Sequence, residues 1–197
     1  TLANAAAEEG WSVRILSGDR DLFQLVDDQR DIAVLYMGGG PYAKSGNPKL
    51  INEEDVREKL GVNPNKVIDL KALTGDSSDN IPGVKGVGPK TAINLLKENT
   101  DLDGVYKSLQ ELEIEGEKAK RGAIKGAVRL KLKADKDNAY LSRKLAEILI
   151  RIPINPKVNH NLEGINESKL AENLEKLELH SLLTQVSTFK AIFSKEG

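Results

Sequence analysis

GDSSDNIPGVKGVGPKTA, residues 75 to 92, sets two devices side by side, and the rest of the chain is arranged around them. The first is the pair Asp76 and Asp79, three residues apart, a spacing at which one helical turn aims both carboxylates at the same point and invites a hard cation. The second is Gly86-Val87-Gly88-Pro89-Lys90-Thr91-Ala92, a tight glycine turn feeding a helix that begins near Pro89, where proline sacrifices no useful donor. Backbone N–H groups at such a helix start form an anion site, and glycines let a phosphate come close to the main chain. Lys85 and Lys90 add positive charge beside it. The plainer reading is also open: a turn only, with two aspartates that merely start a helix.

Upstream, Val13 to Leu16 reads as a strand, Ser17-Gly18-Asp19-Arg20-Asp21 as a loop, Leu22 to Val26 as a helix and Ile32 to Tyr36 as a second strand. Residues 1 to 10 read as a helix body closed by Gly10. This alternation predicts an α/β layer with a parallel sheet. In such sheets functional groups gather beyond the carboxyl ends of strands, where Asp19 and Asp21 fall. The competing reading is that Asp19 caps the next helix and Asp21 suits its dipole. Met37 to Pro48 is turn-rich and marks a boundary between subdomains. Asn52 is an N-cap for a helix over 53–60, and Asn63-Pro64 opens another over 66–73 that leads into the Asp76 turn.

Downstream, helices are predicted over 91–97 and from Asp101 through Leu109. Lys118, Lys120, Arg121, Lys125, Arg129, Lys131 and Lys133 then alternate with apolar residues, as either a solvated face or a track for phosphates. Residues 138–150 form an amphipathic helix whose stripe of Leu141, Leu145, Ile148 and Leu149 is assigned to the core. Two closing helices are expected over 166–177 and 180–193.

Bulk composition narrows the field. The 197 residues are 39% hydrophobic with a formal net charge of −1, enough for one domain or two small ones with a real core. There is no cysteine, and His160 and His180 are too few and too far apart for zinc. No apolar run approaches the ~20 residues that span a bilayer, no signal segment opens the chain, and a cytoplasmic protein is expected. No internal repeat is present.

GDSSDNIPGVKGVGPKTA, together with SGDRDLFQLV, EKLGVNPNKVIDLKAL and LEKLELHSLL in that order, resembles the 5′ nucleases, in particular those of the bacterial DNA polymerase I family. The resemblance covers nearly the whole chain. It implies a mainly helical α/β fold: the C-terminal part of a PIN-like nuclease layer over 1–43, then a helical domain over 44–197 with a helix-hairpin-helix-like motif at 81–97. It further implies a metal-dependent 5′-3′ exonuclease or flap endonuclease of DNA replication and repair, active in the bacterial nucleoid. Asp19, Asp21, Asp76 and Asp79 would hold Mg²⁺ or Mn²⁺ in a two-metal site. Gly83, Lys85, Gly86, Gly88, Lys90 and Thr91 would contact branched or 5′-ended duplex DNA without reading sequence. Main-chain carbonyls of Pro82, Val84 and Val87 would hold K⁺.

The family has further acidic ligands and a basic arch on segments preceding the residue that matches Thr1, and a polymerase domain can follow. The expectation is therefore a chain that binds DNA but cleaves it poorly. A non-catalytic helix-hairpin-helix binding module is the alternative, against which the GDRD loop argues, since a pure binding module needs no second acidic pair beyond a strand end. A base-excision glycosylase would want an aspartate in an apolar setting, whereas Asp101 and Asp103 sit in a polar turn.

Overall fold

Alternation along the first strand and its loss along the second explain the sheet. In the computed structural model, which describes residues 1–38, 47–116, 122–154 and 165–192, β1 (Val13–Ser17) alternates half-buried and exposed positions, while β2 (Ile32–Tyr36) is buried at every position except Leu35. That is the difference between an edge strand and a central one. The two pair in parallel, Val13 opposite Ile32 and Ser17 opposite Tyr36. β3 (Lys49–Ile51) adds antiparallel to β2, giving the order β1-β2-β3. Sequence alone does not show this third strand, because three residues are too short for a period and Pro48 masks its start. The expected boundary at 43/44 lies outside the described residues.

α1 (Leu2–Glu8) precedes β1, and a 3₁₀ turn (Arg20–Leu25) takes the place of the helix expected over 22–26. α2 (Glu53–Leu60) starts with a full capping box, in which the Asn52 side chain accepts from the Asp55 N–H and the Asp55 carboxylate accepts from the Asn52 N–H. It stops at Gly61, in the left-handed region at φ 76°. A 3₁₀ turn (Pro64–Lys66) leads into α3 (Val67–Thr74). α4 (Pro89–Glu98) begins with the predicted proline at its first position. α5 (Leu102–Glu115), capped by Asp101 onto Gly104, runs past the expected end at Leu109. α6 (Gly126–Ala134) and α7 (Lys136–Ala146) meet at a corner at Asp135.

The chain divides into two compact units, Thr1–Ile154 and Asn155–Gly197. In the first, one core runs from Phe23, Val34 and Ile51 beneath the sheet through Leu73, Leu95 and Leu112 to Leu132 and Ala139. Phe23 and Tyr36 meet edge to face with ring centroids 5.3 Å apart. In the second unit, α8 (Glu167–Lys176) is capped by Asn166. The single helix expected over 180–193 is instead α9 (His180–Leu183) and α10 (Val186–Ile192), broken at Thr184 and Gln185; residue 193 lies outside the described residues. Among the described residues no helix is long and apolar enough to cross a membrane.

Two further expectations are corrected. On α7 the buried positions are Ala139, Ser142 and Ala146, whereas Leu141 and Leu145 are exposed; the helix stops at Ala146, short of the expected 150, and Leu149 is exposed beyond it. Size misled the periodicity: α7 packs closely on α3, and a close approach of two helices wants small residues at the contact, not large ones. The basic segment is charged and exposed only in part, with Lys125 exposed and its neighbours engaged. Lys118, Lys120 and Arg121 lie outside the described residues; Arg129 donates to the Leu112 and Gly116 carbonyls, Lys131 to the Gly86 carbonyl, and Lys133 pairs with Glu113.

Candidate functional site

The loop after β1 and the turn after α3 open onto one cleft of about 520 Å³, lined by Asp19, Asp21, Lys71, Asp76 and Asp79. Asp21, Asp76 and Asp79 each offer a carboxylate oxygen, and these atoms all lie within 4.8 Å of one another. Asp19 lines the same cleft but stands outside that group. Its carboxylate caps the 3₁₀ turn, accepting from the Asp21 N–H at 2.8 Å. One oxygen of Asp19 thus caps the turn, and Asp21 is the member of the pair that joins the carboxylate cluster.

The geometry that joins Asp76 to Asp79 is a closed turn, not the helical turn inferred from their spacing. α3 ends at Thr74, Gly75 takes φ 69°, and the Asp76 and Ile81 backbones exchange two hydrogen bonds of 2.9 and 2.8 Å. Asn80, at φ 55°, supplies the left-handed residue that the reversal needs, one of the few types that tolerates it. Asp76 Oδ1 accepts from the Ser78 N–H and from its hydroxyl, which leaves Oδ2 facing the cleft side.

Lys71, which sequence reading passed over, sits between the two segments. Its ammonium pairs with Asp21 and with Asp76 Oδ2, the latter at 2.7 Å, and its side chain is only 14% exposed. At an effective dielectric of ~20, carboxylates as close as Asp21 and Asp76 repel by roughly 3–4 kcal/mol, a repulsion that the Lys71 ammonium offsets. The Lys71 ammonium, with help from the Ser78 hydroxyl, holds the Asp76 carboxyl down at about 2. Its one local mark in the sequence is its place as the basic residue in the last turn of α3, five positions before Asp76.

The hairpin follows directly. Gly83 packs backbone to backbone on Gly75: a Cβ on Gly83 would lie 2.2 Å from the Gly75 nitrogen. The Val84 N–H donates to the Leu73 carbonyl at 2.9 Å. The α6–α7 corner clamps the turn from the other side, with Ser142 Oγ accepting from the Gly83 N–H, Asp135 Oδ2 from the Lys85 N–H, and the Lys131 ammonium donating to the Gly86 carbonyl. Not every amide of the turn points outward, therefore. Gly83 is buried with its N–H spent on Ser142, which takes it off the contact surface. The Lys85 N–H is likewise engaged, though its side chain is exposed.

What faces outward is the start of α4. Gly88 is its N-cap with no side-chain hydrogen bond, a Cβ there would meet nothing within 4 Å, and Lys90 is exposed while Thr91 is half-buried. The N–H groups of Lys90 and Thr91 lie in the first turn, where no intrahelical acceptor exists. Of the three carbonyls singled out, that of Val84 accepts from the Val87 N–H, and Pro82 is exposed while Val84 and Val87 are buried.

Beside the clamp, Arg143 pairs with Asp103, which also accepts from the Tyr140 hydroxyl, and reaches Asp69 at 3.4 Å. Asp69 is buried, and desolvation raises its pKa despite the nearby guanidinium.

Comparison with known proteins gives the chain's relatives. Residues 62–167 match a family model described as 5′-3′ exonuclease, C-terminal SAM fold. The chain is 39% identical over 196 residues to DNA polymerase I of Synechocystis sp., covering 98% of this chain and 19% of that protein. It is 38% identical over 188 residues to DNA polymerase I of Bacillus subtilis, covering 94% and 19%. The chain thus spans about a fifth of the length of the curated relatives it matches. Among solved structures, a phage T5 5′-exonuclease described with bound divalent metal ions (zinc) superposes with a TM-score of 0.57 at 20% identity, over 74% of this chain and 46% of that one. A T5 D15 flap endonuclease described as a pseudo-enzyme-product complex with DNA and metal ions gives 0.56 at 20% identity, over 74% and 46%. These two share the fold.

Proposed function

Because the chain belongs to the 5′-3′ exonuclease family, we propose that it carries the DNA-holding part and acidic metal ligands of a structure-specific 5′ nuclease, acting on branched or 5′-ended duplex DNA. The observation that carries this reading is the convergence of Asp21 with Asp76 and Asp79 from two separate segments. The donor set fits a divalent cation of the Mg²⁺ or Mn²⁺ kind: all oxygen, carboxylate-rich, open to solvent on the Asp79 side, and already holding an ammonium as stand-in. Asp19, one oxygen of which caps the 3₁₀ turn, completes the proposed set of four. A cation bound there supplies Lewis acidity toward a water and a phosphoryl oxygen. The K⁺ reading at the carbonyls of Pro82, Val84 and Val87 belongs to the same proposal.

The chain's own residues do the rest. The first turn of α4, with Lys90 and Lys85, offers main-chain N–H groups and charge to phosphates and no base-reading group, so binding is sequence-tolerant. The clamp of Ser142, Asp135 and Lys131 fixes that turn. The test is Mn²⁺ calorimetry and 5′-flap duplex binding on the wild type and on an Asp76→Asn plus Asp79→Asn variant. Metal heat lost in the variant with duplex affinity kept is the expected result. Equal heats in both, or flap cleavage indifferent to EDTA, would overturn the reading. A non-catalytic binding module, favoured by the Lys71 ion pairs, predicts the equal heats.

A further inference from the structure

Lys71 lines the cleft, and the metal reading leaves its role unexplained. It lies on α3, only partly exposed, with its ammonium against both Asp21 and Asp76. A cation-binding cluster that must fold before it is loaded has three carboxylates in one place and needs a positive charge in the interim. We propose that Lys71 is an internal counter-ion to this acidic cluster and must leave Asp21 and Asp76 before a divalent cation can take their oxygens.

This rests on the metal-site reading and adds to it. With Asp21, Asp76 and Asp79 ionised and Lys71 protonated, the group carries −2, which one divalent ion neutralises. The lysine therefore competes with the metal for the same two carboxylates. Two consequences separate this from a lysine that only braces the loop. Removing its charge should tighten divalent binding while weakening the metal-free fold, whereas a brace would loosen both. In addition, metal should release the amine.

The probe is Mn²⁺, followed by calorimetry and by thermal melting in EDTA. Lys71→Met should lower the Mn²⁺ dissociation constant by about tenfold, the direction and order expected for loss of one adjacent like charge, and melt earlier than wild type without metal. Lys71→Arg should keep the wild-type constant within about threefold. A Lys71→Met variant that folds and binds Mn²⁺ no tighter than wild type would overturn the inference alone. Mn²⁺ heats equal in wild type and Asp76→Asn would overturn the site reading and this inference with it. A wild-type measurement guards against a variant that fails to fold: amine acylation read by mass spectrometry. Lys71 should be protected in EDTA and become reactive with Mn²⁺, while Lys97 is unchanged. Lys71 labelling that does not respond to Mn²⁺ would refute the displacement.

Discussion

Ser142→Ala is the substitution that tests how the hairpin is held. Ser142 is fully buried on α7, and its Oγ accepts from the buried Gly83 N–H at 2.9 Å. Alanine keeps the helix and nearly the volume but strands the donor, since Gly83 and position 142 are both buried. A buried unpaired N–H costs about 1–3 kcal/mol. Taking about 2 kcal/mol, the midpoint for a domain of this size falls by roughly 4–8 °C. The assay is amide hydrogen exchange of Gly83 together with thermal unfolding. Gly83 should exchange much faster in the variant, and duplex DNA affinity should fall because the start of α4 is no longer anchored, while Mn²⁺ binding at the acidic turn persists. Gly83 exchange as slow as in wild type, or a melting shift under about 1 °C, would refute the clamp.

Three further expectations are independent of that one. Asp76, whose folded pKa is depressed from 3.8 to about 2, contributes stability that is present above pH 4 and lost as pH falls toward 2; after screening at this partly exposed site it amounts to about 1 kcal/mol, and urea titrations of Asp76→Asn against wild type should converge near pH 2. Gly88→Val should cost at most about 1 kcal/mol of helix capping, because its Cβ meets nothing and its φ of −93° is ordinary, yet it should weaken binding of unrelated duplexes alike, as measured by fluorescence anisotropy. Leu145→Lys should change stability by no more than about 0.5 kcal/mol whereas Leu73→Ala should cost about 2–5 kcal/mol, a contrast checked by denaturant midpoints, since Leu145 is 57% exposed and Leu73 fully buried.

How much of this was legible in the sequence depends on whether the deciding force was local. β1 and β2 are readable because burial alternates along one and is continuous along the other. Asn52 and Pro89 are readable because capping chemistry acts over three residues. Asp76 and Asp79 are readable as a pair, although the closed turn that joins them is not. Lys71 is invisible as a counter-ion because Asp21 lies 50 residues away. Ser142 is likewise invisible as a clamp, since its partner is 59 residues distant. On α7 the largest side chains pointed to the wrong face, because what selects the buried face is the shape of α3 and not hydrophobicity.

Gly75 and Gly83 touch through their main chains, with a Cβ on either one meeting backbone atoms under 3 Å away. That contact is between backbone atoms, with no rotamer to adjust. On the proposed reading, the segment between them acts as a ruler: it sets how far along the DNA the gripped phosphates lie from the bond beside the carboxylates. Side chains around it can vary without moving the cut. A single residue inserted between Asp76 and Ile81 would lengthen the ruler, and the length of the released fragment is where that would be read.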